Sequence, residues 1–256
     1  MPNSPMQQVP ALDHADWPPA LEIVNEGGRS PIVLICEHAS NHMPAEYRGL
    51  GLEPADLSRH IAWDVGAAEV TRCLSRLLDA PAFLAGYSRL LIDLNRPLGA
   101  PSSIPAVSEA TPIPGNRDLA AAERERREAV MFQPFHRGVA HFLDARKERG
   151  EGSVIVAIHS YTPVFHGKQR PWHAGVLFAQ AASMGQKVIE ALRAAAPGLL
   201  VEANVPYVID GNDYAIPVHG DQRGHPAILI EIRNDLIATS DGAERWAGYL
   251  AGALST

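Results

Sequence analysis

The sequence predicts an α/β fold, a mostly parallel sheet covered by helices on both faces, and three observations carry that expectation. Short runs dominated by branched apolar residues recur along the 256-residue chain, as at 31–36 (PIVLIC), 153–158 (SVIVAI) and 227–232 (AILIEI). Such runs lack the alternation of a half-exposed strand and suit strands buried on both faces. Segments with helical spacing of apolar residues lie between them, and polar residues follow each run at its C-terminal end.

Taken in order, residues 1–20 are proline-rich without periodicity and read as an extended arm, with 21–256 as a single domain. The first strand, 31–36, is bounded by Gly27-Gly28 and by Glu37-His38. A helix follows over 62–78, where Val65, Ala68, Cys73, Leu74, Leu77 and Leu78 hold one stripe and Asp79 and Pro81 mark the exit. Residues 82–85 and 90–94 are the second and third expected strands. The proline-rich stretch 97–117 is a long irregular connection, and loops of that length inside a domain tend to be functional or disordered. A long helix is expected over 119–147, its charges a solvated face, and Gly150 and Gly152 stop it. Strand 153–158, strand 175–178, helix 184–196, strand 227–232 and helix 241–254 complete the chain. Loop lengths leave room for some mixed strand pairing.

Composition narrows the function. The chain is 46% apolar and 20% charged with a formal net charge of −7, the profile of an ordinary soluble protein. No apolar run approaches the roughly 20 residues that cross a bilayer, so no membrane partner is expected. The N-terminus has neither a basic start nor an apolar block, which argues against a secretory signal and for a cytoplasmic location. An acidic balance removes the electrostatic footprint of nucleic-acid binding, leaving a small molecule as the expected partner. Cys36 and Cys73 make no disulfide framework, and Cys36 inside a strand reads as inert burial.

In open α/β sheets, ligands bind beyond the carboxyl ends of the strands. Those ends carry Glu37-His38-Ala39-Ser40-Asn41, Asp93-Leu94-Asn95-Arg96, His159-Ser160-Tyr161 and Glu231-Ile232-Arg233. A single polar exit is unremarkable, because a buried histidine is commonly just hydrogen-bonded; four together point to a site. Two histidines at two strand ends, with carboxylates nearby, suit one divalent metal such as zinc. A catalytic zinc takes three protein ligands and keeps a position for water. His38 and His159 supply two. Asp64, at the expected start of the helix, is favoured as the third over Glu37, which strand alternation turns away from His38, and over the neutral amide of Asn41. His42 and His60 lie in the intervening segment, as outer donors, substituted ligands or plain loop residues, and Asp64 also suits a helix cap. The nucleophile elbow, the phosphate loop, the dinucleotide fingerprint and the paired-cysteine and zinc-protease motifs are all missing from the sequence.

With those residues assembled, the segments VLICEHASNHMP (33–44), HIAWDVGAAEV (60–70), YSRLLIDLNRP (87–97), AIHSYTP (157–163) and LIEIRND (229–235) make the chain resemble the N-formylglutamate amidohydrolase family, in a divergent branch. The resemblance implies a three-layer phosphorylase/hydrolase-like mixed sheet related to zinc carboxypeptidases, and metal-assisted hydrolysis of an N-acyl amino acid. It implies His38, Asp64 and His159 as ligands of one zinc ion and Glu231 as general base. It also implies Asn95 and Arg96 as a clamp on the substrate carboxylate, assisted by Arg89 or Arg233. Ser160, which beside His159 on an extended chain reads as orienting a neighbour and not as a nucleophile, is counted with these substrate-binding residues. Better-known members open with Pro-His-Ser-Gly where this chain has Glu37-His38-Ala39-Ser40, so the resemblance reaches the reaction more firmly than glutamate as substrate. Hydrolysis of another small amide or peptide, and non-catalytic binding of an acidic metabolite on the same fold, are the competing expectations.

Overall fold

The computed structural model describes residues 17–255, so the arm expected over 1–20 lies outside the described residues up to position 16. The main sheet contains β1 (Leu21–Val24), β2 (Ile32–Cys36), β3 (Ala82–Ala85), β4 (Val154–Tyr161), β5 (Ala174–Leu177), β6 (Val201–Ala203) and β7 (Ala227–Arg233). Across the sheet they lie in the order β1-β3-β2-β4-β7-β5-β6. The four central strands β3, β2, β4 and β7 are mutually parallel, while β1 runs antiparallel to β3, β5 antiparallel to β7, and β6 parallel to β5. The sheet is therefore mixed, with a parallel centre.

Helices α1 (Ala67–Leu78), α2 (Ala121–Arg127), α3 (Gln133–Glu148), α4 (Ala182–Ala195) and α5 (Ser240–Leu254) cover it. Strand alternation divides the core in two. Leu34, Cys36, Val156, Ile158 and Ile230 face one layer, where Val70, Leu74, Ile189, Leu192, Trp246 and Leu250 bring in α1, α4 and α5. Val33, Ile35, Phe83, Ile155, Ala157 and Leu229 face the other, packed by Phe132, Phe135, Val139 and Leu143. The expected single helix over 119–147 is interrupted by a π-helical turn at Glu128–Phe132. Pro134 follows it, and a proline without N–H that would crowd the carbonyl four residues back explains why the α-helical ladder is re-spaced there.

Residues 90–94 are not a strand. They are as buried as one, but Asn116 Nδ2 donates to the Leu90 carbonyl (2.8 Å) and Arg127 Nη1 to that of Leu91 (3.0 Å). Side chains satisfy the backbone that a neighbouring strand would have satisfied, so an apolar run is buried without joining the sheet. Helix α1 begins at Ala67, five residues later than expected. The segment before it is a turn tied to the end of β2 through the Asp64 N–H and the His38 carbonyl (3.0 Å). Gly66 (φ +82°) closes that turn against the segment that follows β7, where a Cβ would lie 2.2 Å from the Ile237 carbonyl oxygen. Strand β4 runs on to Tyr161, so His159 and Ser160 lie within the ladder to β7 and not beyond it. Strands β1 and β6 carry no clear sequence signal, being short and half exposed.

Candidate metal centre and active site

Parallel pairing places His159 of β4 beside Glu231 of β7 in register, and on Glu231's other side the antiparallel partner is Gly175 of β5. Cross-strand partners project to the same face, so Glu231 has an imidazole on one side and no side chain on the other. The space is taken by the loop after β6: a Cβ on Gly175 would lie 1.6 Å from the Val205 carbonyl oxygen. That loop, from Asn204 to Asp213, walls a cavity of about 730 Å³ whose floor includes His38, Asp64, His159 and Glu231. The 97–117 connection contributes Ser102, Ser108 and Glu109 to its rim.

Among the described residues, His38, Asp64 and His159 can hold a metal ion, with one ligand atom from each lying within 4.8 Å of the others. Asp64 Oδ2 lies 3.3 Å from Nδ1 of His38 and 2.9 Å from Nδ1 of His159, and accepts the Ser160 N–H at 3.2 Å. The far nitrogens are held by other carboxylates. His38 Nε2 meets Asp93 Oδ1 at 2.7 Å, and His159 Nε2 meets Glu37 Oε2 at 3.0 Å. A carboxylate on Nε2 favours a proton there, so that in the neutral ring Nδ1 is the nitrogen that presents its lone pair to Asp64, the usual way a protein orients metal-binding imidazoles. Arg89 braces both acids, with Nη1 on Asp64 Oδ1 (3.2 Å) and Nε and Nη2 on Asp93 Oδ2 (3.2 and 2.8 Å).

Positive charge is what the cluster lacks. Glu37, Asp64, Asp93 and Glu231 are all buried, against one guanidinium. Burial opposes their ionisation, yet His159 beside Glu37, His38 beside Asp64, and Arg89 beside Asp93 hold those three below the ordinary carboxylate range. Burial by itself lowers His159, but Glu37 and Asp64 outweigh it and hold its affinity for a proton well above the usual value. Glu231 escapes this compensation: burial pushes it up to about 7, partly offset by His159. Its Oε2 is buried without a hydrogen-bond partner. An N,N,O donor set surrounded by excess buried negative charge and an unpartnered carboxylate fits a divalent cation.

The other expected residues are placed as follows. Glu37 lies on the outer side of His159, and Asn41 donates to the Leu57 carbonyl at 3.0 Å, away from the cluster. His42 packs on Tyr87. His60 lines the cavity with Nδ1 3.4 Å from Asp64 Oδ1, but burial holds its pKa near 4 and keeps it neutral. Ser160 lines the cavity, its hydroxyl donating to the Val65 carbonyl at 2.9 Å. Asn95 and Arg96 line it too. The Asn95 side-chain oxygen accepts the N–H groups of Tyr214 and Ala215, which anchors the loop. Arg233 does not line the cavity: at the end of its strand, two residues beyond Glu231, it forks onto Asp235 in the following turn (2.8 and 3.2 Å). The sequence reading missed the holding role of Asp93, although an acid at the start of Asp93-Leu94-Asn95-Arg96 was a signal for it. It missed the wall residue Tyr207 altogether, since a lone tyrosine in a coil carries none.

Comparison with known proteins gives this arrangement its class. The N-formylglutamate amidohydrolase family model matches residues 30–238, and the chain belongs to that family; it is an amidohydrolase. Gene product Atu2144 from Agrobacterium tumefaciens is 37% identical, with a TM-score of 0.89 over 93% of this chain and 94% of that one. An N-formylglutamate amidohydrolase from Ralstonia eutropha JMP134 shares the fold at 17% identity, with a TM-score of 0.69 over 92% and 96% of the two chains. No significant match is found among curated proteins.

Proposed function

We propose that this chain hydrolyses the amide bond of an N-acyl amino acid, with one divalent ion, zinc, held by Nδ1 of His38, Nδ1 of His159 and the Asp64 carboxylate. The observation that carries the reading is the unpartnered Glu231 carboxylate, next in register to His159 and on the same cavity floor as the three donors. When bound, the ion supplies a Lewis acid and eases deprotonation of water at neutral pH. Glu231 accepts a proton from the attacking water and returns it to the amide nitrogen as the C–N bond breaks. The water's oxygen stays on the acyl carbon, so the products are the small carboxylate and the free amino acid. Asp93 and Glu37 hold the two imidazoles, and Arg89 holds Asp93 and Asp64, so the donors need no rearrangement during the reaction. Arg96 takes the substrate carboxylate. A binder with no chemistry to perform has no use for a buried, unmatched Glu231.

The test is a purified chain stripped of metal and reloaded with zinc, assayed against a panel of N-acyl amino acids. Hydrolysis that appears only with metal, and is lost in Glu231→Gln at unchanged metal content, supports the reading. A fully loaded chain that cleaves no member of the panel overturns it.

A further inference from the structure

An anionic substrate needs a cation with donors to spare, and the cavity wall holds few. Two guanidinium groups line it, Arg89 and Arg96. All three nitrogens of Arg89 are engaged by Asp64 and Asp93. Arg96 engages only Nη1, which reaches the Asn95 and Asn212 carbonyls and Asp213 Oδ1, each at 3.1 Å. Its Nε and Nη2 make no hydrogen bond among the described residues, leaving one edge of the fork open. Arg170 lies behind the wall and does not line the cavity. It stacks 4.4 Å from the Phe165 ring centroid and 4.9 Å from that of Tyr207, and donates to the Tyr207 hydroxyl at 3.0 Å.

The acids of the wall are distributed differently. Asp213 is matched by Arg96, and Glu109 at the rim by Arg59. Asp210, on the same loop as Tyr207, has no ion pair among the described residues; its carboxylate accepts only from the Asn212 backbone N–H (2.7 Å) and side-chain amide (3.4 Å). Outside the candidate metal centre, the cavity therefore offers one open guanidinium edge and one unmatched carboxylate.

We infer that the substrate is an N-acyl amino acid with a single carboxylate and a neutral or positively charged side chain, not the dicarboxylate named by the family. This rests on the hydrolase reading above and sharpens it to a substrate class. One open fork binds one carboxylate bidentately. A second carboxylate finds no cation and shares the wall with Asp210, and like charges brought together at a recognition surface discriminate against the wrong partner.

The experiment compares kcat/KM of the zinc-loaded wild type and Asp210→Asn on N-formylglutamine, N-formylarginine and N-formylglutamate. Glutamine and glutamate are nearly the same size, so their ratio reports charge. The expected result is a preference for glutamine of about tenfold or more in wild type, arginine turned over at least as well as glutamate, and a gap that narrows several-fold in the variant. Glutamate turned over as well as glutamine overturns this inference while leaving the hydrolase intact. A gap untouched by Asp210→Asn also overturns it, since the discrimination is then not made by this charge. No turnover of any of the three, while the same loaded chain cleaves another member of the N-acyl panel, overturns this inference and leaves the hydrolase reading intact; no turnover of the whole panel overturns both.

Discussion

Two pairs of buried histidines lie in this molecule, equally hidden from solvent and opposite in chemistry. His38 and His159 stand with a carboxylate on each far nitrogen and a shared carboxylate between their near ones. His136 and His219 have each other: Nδ1 of the first meets Nε2 of the second at 2.9 Å, and His136 Nε2 donates to the Leu94 carbonyl at 2.8 Å. Burial without an acid in contact pushes His136 down to about 3 and His219 to about 4, so both are neutral. The pair packs among Phe132, Phe135 and Tyr214, with His219 inside the π-helical turn Ile216–Gly220, and has no anionic hydrogen-bond partner among the described residues. Burial alone does not make a histidine a ligand; the acid behind it does.

Breaking the first pair has the largest expected effect. His159→Ala removes a donor and leaves Glu37 buried without its partner, so elemental analysis should find no stoichiometric metal and assays no turnover. His219→Gln, in the second pair, should lower Tm but keep one ion per chain. Full metal in His159→Ala would place the ion elsewhere.

Glu231→Gln comes next. Loss of the proton acceptor should lower kcat by roughly 10²-fold or more while metal content and KM move little. The same variant has a stability signature. Glu231 titrates at about 7 in the folded chain, above its ordinary 4.5. Between those values the folded chain keeps a proton that the unfolded chain has lost, so this group's contribution to stability declines as pH rises through the window. Metal-free Glu231→Gln should therefore be hardly more stable than wild type near the lower pH, with an advantage in Tm that grows until about pH 7. Thermal melts in which the variant is the less stable protein above that pH would contradict the burial of an ionisable, unmatched Glu231.

A smaller effect is expected at Asp93, which the sequence reading left without a role. Asp93→Asn keeps the shape but weakens the hold on His38 Nε2, and metal affinity measured by competition with a chelator should fall about 10- to 100-fold. An unchanged affinity would mean that His38 is positioned by packing alone. The smallest effect is at Arg233. Its fork is closed on Asp235 outside the cavity, so Arg233→Ala should alter kcat/KM by less than about twofold, in the range of ordinary surface changes. A large rise in KM would restore it to substrate binding.

Period and composition determined the α/β class, the buried strands near 31–36, 153–158 and 227–232, and the polar residues at their ends. The physical reason is local: a strand covered on both faces must be apolar along its length, and where the cover stops, polar residues can begin. Tertiary structure decided what those residues do. Only the register of β4 with β7 sets Glu231 against His159, and only the bare Gly175 opposite lets the Asn204–Asp213 stretch close over it. Residues 90–94 look like a strand because burial and strand pairing leave the same apolar signature, and the distinction was made by Asn116 and Arg127 reaching their carbonyls from more than twenty residues away. Arg89, Arg96 and Arg233 are alike on paper. Which of them has a donor left for a substrate depends on the acids the fold brings beside each one, and no spacing along the chain encodes that.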